Sequence, residues 1–326
     1  MLERLAENPI LRPRDHFPWE SQYVFNAAAL YLEGKVHLIY RAIGRCGLSV
    51  FGYASSRDGI HFDERLSEPA YVCDRPLACS IPRNRFSYVS GGSWSGCEDP
   101  RLTKIDNTIY LTYTAFNSWC SSPPGIALTS IRVSDFVAKR WRWRCPKLLS
   151  PPNEMHKNWV LFPEKIKGKY AVLHSISPSI LIDYFDDLHC SSNGYIKSHY
   201  SSSERNAHWD TWVRGVGPPP IKTSAGWLVL YHAMDKTDPN RYKLGAMILD
   251  LEDPTKILYR LKTPLLEPDA PYENQGFKPG VIYCCGAVVI DEKLFVYYGA
   301  ADAVICGAVI DLNHLLNKLY DSISTK

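Results

Sequence analysis

The sequence predicts an all-β fold: a five-bladed β-propeller whose four-stranded blades surround a central funnel, in a single domain over residues 1–326. Three observations carry that expectation. One alternating apolar pattern recurs five times, at intervals of roughly 60–70 residues. A hairpin signal precedes each copy. A further strand-like run with an Asp-containing turn follows each copy. A two-sheet sandwich would also use such strands, but it would not need five similar units.

The copies are "GKVHLIYRA" (34–42), "NTIYLTYTA" (107–115), "GKYAVLHSI" (168–176), "GWLVLYHAM" (226–234) and "EKLFVYYGA" (292–300). Each starts at a turn residue, alternates apolar positions with the period of a strand, reaches an aromatic residue or His, and ends small or polar. The strands before them read "FNAAALYLEG", "EDPRLTKIDN", "LFPEKIKG", "GPPPIKTSAG" and "CGAVVIDEK". The strands after them read "FGYASSRDGIHF", "GIALTSIRVSDFVAKRW", "ILIDYFDDLH", "YKLGAMILDLEDPTKILYR" and "ICGAVIDLNHLL". Each repeat thus supplies about four strands. At most one long helix is expected, near 311–319. "KRWRWR" (139–144) alternates Trp141 and Trp143 with arginines and reads as one two-faced strand.

Composition is that of an ordinary soluble chain, with 45% hydrophobic and 22% charged residues. Its 20 tyrosines and 9 tryptophans fill β cores or line clefts for flat ligands such as sugars. A net charge of +3 without a long basic run argues against nucleic acid as a partner. No apolar run approaches a membrane span and the N-terminus has no apolar leader, so no membrane association is expected. The ten cysteines lie mostly in apolar segments and form no pair of CxxC units. Buried reduced thiols, a cytoplasmic location and no bound metal are the expectations.

If the blades close, inner-strand ends far apart in sequence converge. The candidates are Asn26, Arg41, Asp99, Lys157, Lys165, His174, His232 and Asp302. Each alone reads as structural; together they are a polar set that a packed β core would not take. "SGCEDPRLTKIDNTIYLTYTA" (95–115) places Glu98 and Asp99 against Pro100 and Arg101 at a strand mouth. Glycoside hydrolysis normally takes two carboxylates. Pro100 is expected to hold Asp99 extended, and alternation then sends Glu98 to the opposite face, so the two are not a dyad. A simple ion pair of Asp99 with Arg101 is the plain structural alternative.

"HKNWVLFPEKI" (156–166) offers Lys157, Asn158 and Lys165, "GWLVLYHAM" offers His232, and "YRAIGR" offers Arg41 and Arg45. Cations and an amide in such number can hold phosphate without a helix N-terminus, although singly each could be a solvated surface group, Lys165 beside its hairpin turn above all. One acid facing several cations suits phosphorolysis: phosphate attacks the anomeric carbon with inversion while Asp99 assists departure of the leaving oxygen.

Taken in order along the chain, "VFNAAA", "YRA", "SSRDGIHF", "CEDPRL", "KNWVLFPEKIKGKYAVLH", "VGPPPIKTSAGWLVLYHAMD" and "YYGAAD" resemble glycoside hydrolase family 130, the β-mannoside phosphorylases and their relatives. The resemblance implies a five-bladed propeller and reversible, inverting phosphorolysis of β-mannosides to mannose 1-phosphate. Inorganic phosphate is the co-substrate, no cofactor is needed, and a homo-oligomer is common. It implies that Asp99 is the general acid, acting through a sugar hydroxyl. Asn26, Arg41 and Asp302, with Glu98 beside them, would hold the mannosyl unit. Lys157, Asn158, Lys165 and His232 would hold phosphate, joined by Arg45 in a loop that aligns poorly.

Hydrolytic members lack the basic set and gain glutamates. Here Gly215 and Val216 stand where an acidic residue would favour hydrolysis. Two features depart from the commonest phosphorylases: Trp159 after "KN", and "HSISPSILIDYF" (174–185). A related trypanosomatid group transfers mannose from GDP-mannose into β-1,2-mannan, which makes a mannosyltransferase the second reading. A non-catalytic sugar-binding propeller would not need Asp99 opposite the cations. Acceptor specificity is assigned to the loops 73–95 and 186–212, which include the Ser-rich rim candidate "HYSSSERNAHWD" (199–210).

Overall fold

The computed structural model describes residues 2–73, 93, 95–117, 122–189, 194–198 and 209–322. The chain is mostly β. β1 (Glu3–Arg4) is followed by β2 (Tyr23–Leu32), β3 (Lys35–Ile43), β4 (Leu48–Ser56) and β5 (Glu64–Arg65). β6 (Ser95–Ile105), β7 (Thr108–Asn117) and β8 (Ser122–Arg132) lead into α1 (Val133–Val137) and β9 (Lys147–Leu148). β10 (Val160–Leu161), β11 (Tyr170–Ile176) and β12 (Ile180–Phe185) come next. β13 (Trp212–Val216), β14 (Ile221–Thr223), β15 (Gly226–Asp235), β16 (Asp238–Leu249) and β17 (Ile257–Arg260) follow. After α2 (Pro271–Asn274), the chain ends with β18 (Ile282–Ile290), β19 (Lys293–Ala300), β20 (Val304–Asp311) and α3 (Leu312–Asp321).

The five recurring segments are β3, β7, β11, β15 and β19, each paired antiparallel on both sides. The hydrogen-bonded sheets differ from the expected five of four strands. β4 and β6 pair in parallel at Leu48–Ser95 and Ser49–Gly96, which fuses the first two units into one eight-stranded sheet. The third unit has three described strands and the fourth has five. In the fifth, β1 from the chain start adds to β20 near its end. The run 139–144 is not a strand: Trp141 and Trp143 stack on each other at 6.4 Å and pack into the core, leaving the backbone between them without a ladder. The one described helix longer than five residues is α3, where expected; Asp311 caps it and Leu315, Leu316 and Leu319 are buried.

Apolar burial links the units in cyclic order. Five large clusters each join two neighbours: units one and two, two and three, three and four, four and five, and five back to one. Trp159 and Leu161 of the third unit, for instance, pack on Ile126 and Leu128 of the second. Each such side chain contributes about 1.5–3 kcal/mol when fully buried.

The leading strand of four units carries one extra residue relative to its partner. The register slips between Phe25 and Ala28, between Glu98 and Arg101, between Val213 and Gly215, and between Cys284 and Gly286. A bulge bends its strand and re-aims the inserted side chain. These bulges position the candidate site.

Candidate active site

Asn26 and Asp99 sit in the bulges of β2 and β6, each with φ 50. This is the left-handed region, which Asn and Asp tolerate better than other side-chain-bearing residues. Asp99 is therefore not extended, although Pro100 disfavours helical backbone before it. The extra residue also cancels strict alternation. Glu98 and Asp99, expected on opposite faces, meet the same guanidinium: Arg41 Nη2 donates to Glu98 Oε1 at 3.0 Å and Nη1 to Asp99 Oδ1 at 3.2 Å.

Arg41 is buried on β3 and further anchored. Its Nε donates to Ser49 Oγ at 3.0 Å, Nη2 to Ser93 Oγ at 2.9 Å, and its plane lies over the Phe25 ring. Lys157 Nζ takes the other oxygen of Glu98 at 3.1 Å. Asn26 Nδ2 donates to Asp99 Oδ1 at 2.7 Å. Asp99 Oδ2 has no hydrogen-bond partner among the described residues, so one oxygen is fixed and the other is left unpaired. Burial pushes the Asp99 carboxyl up, but Arg41, Lys157 and Arg101 together outweigh it and hold it below its usual range.

Arg101 does not pair with the Asp99 carboxylate. It is buried and serves backbone and amide acceptors: Nη1 donates to Asp99 O at 2.6 Å, Nε to Gly217 O at 3.0 Å and Nη2 to Asn158 Oδ1 at 2.9 Å. Tyr283 also donates to Asn158 Oδ1, and Asn158 Nδ2 donates to Arg214 O at 2.8 Å. Asn158 is thus a structural tie between units. Gly215 explains its fit, because a Cβ there would lie 2.8 Å from Asn158 Nδ2.

His232 stacks face to face on Tyr283 at 4.1 Å. Its Nε2 accepts the Cys284 N–H at 2.8 Å, which puts the ring proton on Nδ1. Burial, then the Arg101 charge, pushes its pKa down to about 3. His232 is a neutral donor here, not one of the cations the sequence suggested. Asp302 goes the other way: burial raises its carboxyl to about 6 despite Lys278 and Arg41. Among the described residues no group of three His, Cys, Asp or Glu is placed to hold a metal, and no helix is long and apolar enough to cross a membrane.

The model of the family described as beta-1,4-mannooligosaccharide phosphorylase matches residues 1–321. The chain belongs to glycoside hydrolase family 130. A 1,2-beta-oligomannan phosphorylase from a Thermoanaerobacter species is 40% identical over 322 residues, covering 96% of this chain and 98% of the relative. A Beta-1,2-mannobiose phosphorylase from the same organism is 38% identical over 325 residues, covering 95% and 97%. Among solved structures, a Beta-1,2-mannobiose phosphorylase from Listeria innocua matches with a TM-score of 0.72 at 26% identity, covering 98% of this chain and 99% of that one.

In this family 130 chain the structure gathers Asn26, Arg41, Glu98, Asp99 and Lys157 by direct hydrogen bonds, and Asp302 faces the same charges. Asn158 and His232 adjoin them through Arg101 and Tyr283. Three predicted residues are not brought in. Arg45 is exposed in the turn after β3, and no hydrogen bond ties it to the cluster among the described residues. Lys165 is exposed at the turn before β11, its ammonium 4.5 Å over the Tyr170 ring. His174 lies apart too, against Asp183 and Ser198. Trp159, the departure from the family pattern, packs its ring between His156 and His174 in the apolar cluster that joins the second and third units. The loops 73–95 and 186–212 fall largely outside the described residues.

Sequence reasoning missed Arg101 as a tie, Tyr283, and Arg214, which occupies the bulge of β13 with its guanidinium over Trp212 and Tyr242. The signal for Arg101 was present in "DPR". The signal for Arg214 lies in a register slip that no sequence pattern displays.

Proposed function

We propose that the protein is an inverting β-mannoside phosphorylase built on a five-bladed propeller. The propeller is our reading of the cyclic order of the five apolar clusters. The observation that carries the activity is the Asp99 carboxylate, held at Oδ1 by Asn26 and Arg41 with Oδ2 unpaired among the described residues, in a cluster rich in cations. A phosphate oxygen attacks the anomeric carbon as the glycosidic C–O bond breaks. The proton from Asp99 reaches the departing oxygen through a hydroxyl of the mannosyl unit. Asn26, Arg41 and Asp302 hold that unit, and Glu98 keeps Arg41 and Lys157 in place. Lys157 and Arg214 supply positive charge for phosphate, with His232 Nδ1–H a neutral donor to it.

The charge balance explains how an ionised acid becomes useful. Asp99 is kept ionised by neighbouring cations in the unliganded protein. A phosphate dianion beside Lys157 offsets those cations and raises the Asp99 pKa, so the acid takes its proton once phosphate is bound. Hydrolysis is disfavoured at position 215, where the carboxylate-bearing side chain of a hydrolytic member would collide with Asn158, and Glu98 is already engaged by Arg41 and Lys157. The two relatives at 38–40% identity favour a β-1,2 linkage.

The test is product analysis with β-1,2- and β-1,4-mannobiose, with and without inorganic phosphate. Mannose 1-phosphate from the β-1,2 disaccharide, only with phosphate, is the expected result. Free mannose without phosphate would make the protein a hydrolase. Inertness to both disaccharides with turnover of GDP-mannose would make it a transferase.

A further inference from the structure

The basic run at 139–144 takes no part in the site above. Trp141 and Trp143 turn inward, stacked at 6.4 Å with an interplanar angle of 7°, and Trp143 Nε1 donates to Ala70 O at 2.9 Å. One backbone and one side-chain hydrogen bond fix the following residue to β8: Arg144 N–H donates to Ser130 O at 2.8 Å, and Thr129 Oγ1 to Arg144 O at 2.6 Å. With the indoles inward, Arg142 and Arg144 are left facing out. They line a cavity of about 280 Å³ together with Arg132, Tyr110, Ser130 and His189. Asp135 also lines it, but its carboxylate is taken by Arg140 Nε at 2.9 Å. Arg132, Arg142 and Arg144 have no ion-pair partner among the described residues.

Three guanidinium groups around one cavity outnumber the acids beside them, Asp135, already paired with Arg140, and Asp187, and a doubly charged anion relieves their mutual repulsion. Guanidinium presents paired N–H groups that match phosphate oxygens. Ser130 Oγ lies 3.1 Å from His189 Nε2, and the His189 ring stacks on Tyr110, which gives the cavity a flat, polar floor. The size is at the small end of ligand pockets, which suits a phosphate or a sugar phosphate rather than a polymer. Burial first, then the Arg144 charge, depresses the His189 pKa, with Asp187 opposing and Lys147 adding to the effect.

We propose that this cavity is a second, non-catalytic site for a phosphate-bearing small anion, formed by Arg132, Arg142 and Arg144. It stands independently of the phosphorylase reading. The experiment is equilibrium dialysis of inorganic phosphate, and separately of mannose 1-phosphate, against the wild type, Arg142→Gln/Arg144→Gln and Lys157→Ala. All three arginines are exposed, and a thermal melt checks that the double variant folds. The double variant is expected to lose one class of sites, with affinity there down by at least about tenfold, while turnover is unchanged. Lys157→Ala should keep that class. Loss for only one of the two anions identifies which source occupies the site. Superimposable isotherms of wild type and double variant for both anions overturn the proposal. An unaltered isotherm for Lys157→Ala, with the double variant impaired, supports the second site and removes Lys157 from phosphate binding.

Discussion

Asn26 and Asp99 adopt the same left-handed backbone, φ 50 at each, on one-residue bulges of two different strands, and Asn26 Nδ2 donates to Asp99 Oδ1 at 2.7 Å. The contact depends on both bulges, because each removes its residue from the alternation of its strand. Gly299 makes room, since a Cβ there would lie 2.1 Å from Asn26 Oδ1. Asn26→Asp would set a second carboxylate against Asp99. Two such groups cannot both ionise cheaply, so one holds a proton to higher pH. The expected result is a pH–rate profile for phosphorolysis whose Asp99 limb moves to higher pH. An unmoved limb would separate Asn26 from the acid.

Asp99→Asn keeps the size and the tolerance for left-handed backbone but removes the proton. Turnover should fall by about 10²–10⁴-fold with mannoside binding retained. The Asp99 pKa is depressed in the folded chain by Arg41, Lys157 and Arg101 against the effect of burial. Its stabilising contribution is therefore present above the unfolded carboxylate pKa and lost as pH falls through the folded value. The variant should melt below the wild type at neutral pH, and the gap should close in acid. A gap that persists in acid would point to packing instead.

How far the sequence could be read is clear from these same residues. All five recurring strands lie where the pattern puts them, because period-two alternation and hairpin turns are local signals. Asn26, Arg41, Asp99 and Asp302 stand out in sequence as polar residues in apolar strand segments, and the structure brings them together, Asn26 and Asp99 within bulges rather than at strand ends. The relation of Glu98 to Asp99 was not. A bulge is a property of two strands in register, and alternation alone puts adjacent side chains on opposite faces. The run at 139–144 misled in another way: its alternation is real, but stacking of Trp141 on Trp143 sets it, not a ladder. Lys165 and Arg45 carry charge appropriate to phosphate, yet composition says nothing of distance, and both lie on exposed turns.

Lys157 and Lys165 thus make a controlled pair. Lys157 is bonded to Glu98 with its side chain only 12% exposed, whereas Lys165 lies over Tyr170 at the surface. Lys157→Ala should raise the KM for phosphate by about tenfold or more and leave Glu98 short of a buried partner. Lys165→Ala should leave both KM values unchanged. Initial rates across phosphate and mannoside concentrations decide between them. Equal effects of the two variants on phosphate KM would place Lys165 in the site after all.

Asp302 supplies a test with the opposite sign to Asp99. Burial raises its carboxyl from an ordinary value to about 6. Between about pH 4 and 6 the folded chain holds a proton that the unfolded chain has released, so stability falls as pH rises through this window. Asp302→Asn removes that penalty. The variant should gain melting temperature above pH 6 and gain nothing near pH 4, with a ceiling of about 3 kcal/mol from the size of the shift. Function should follow the same titration. If Asp302 holds the mannosyl unit as proposed, then as pH falls below about 6 the carboxylate is lost as a hydroxyl acceptor and the KM for mannoside should rise. In Asp302→Asn that KM should be higher throughout and flat across the window. Thermal melts and KM measured at pH 4.5, 6 and 7.5 check both statements, and a melting difference independent of pH would show that Asp302 is not the buried titrating group.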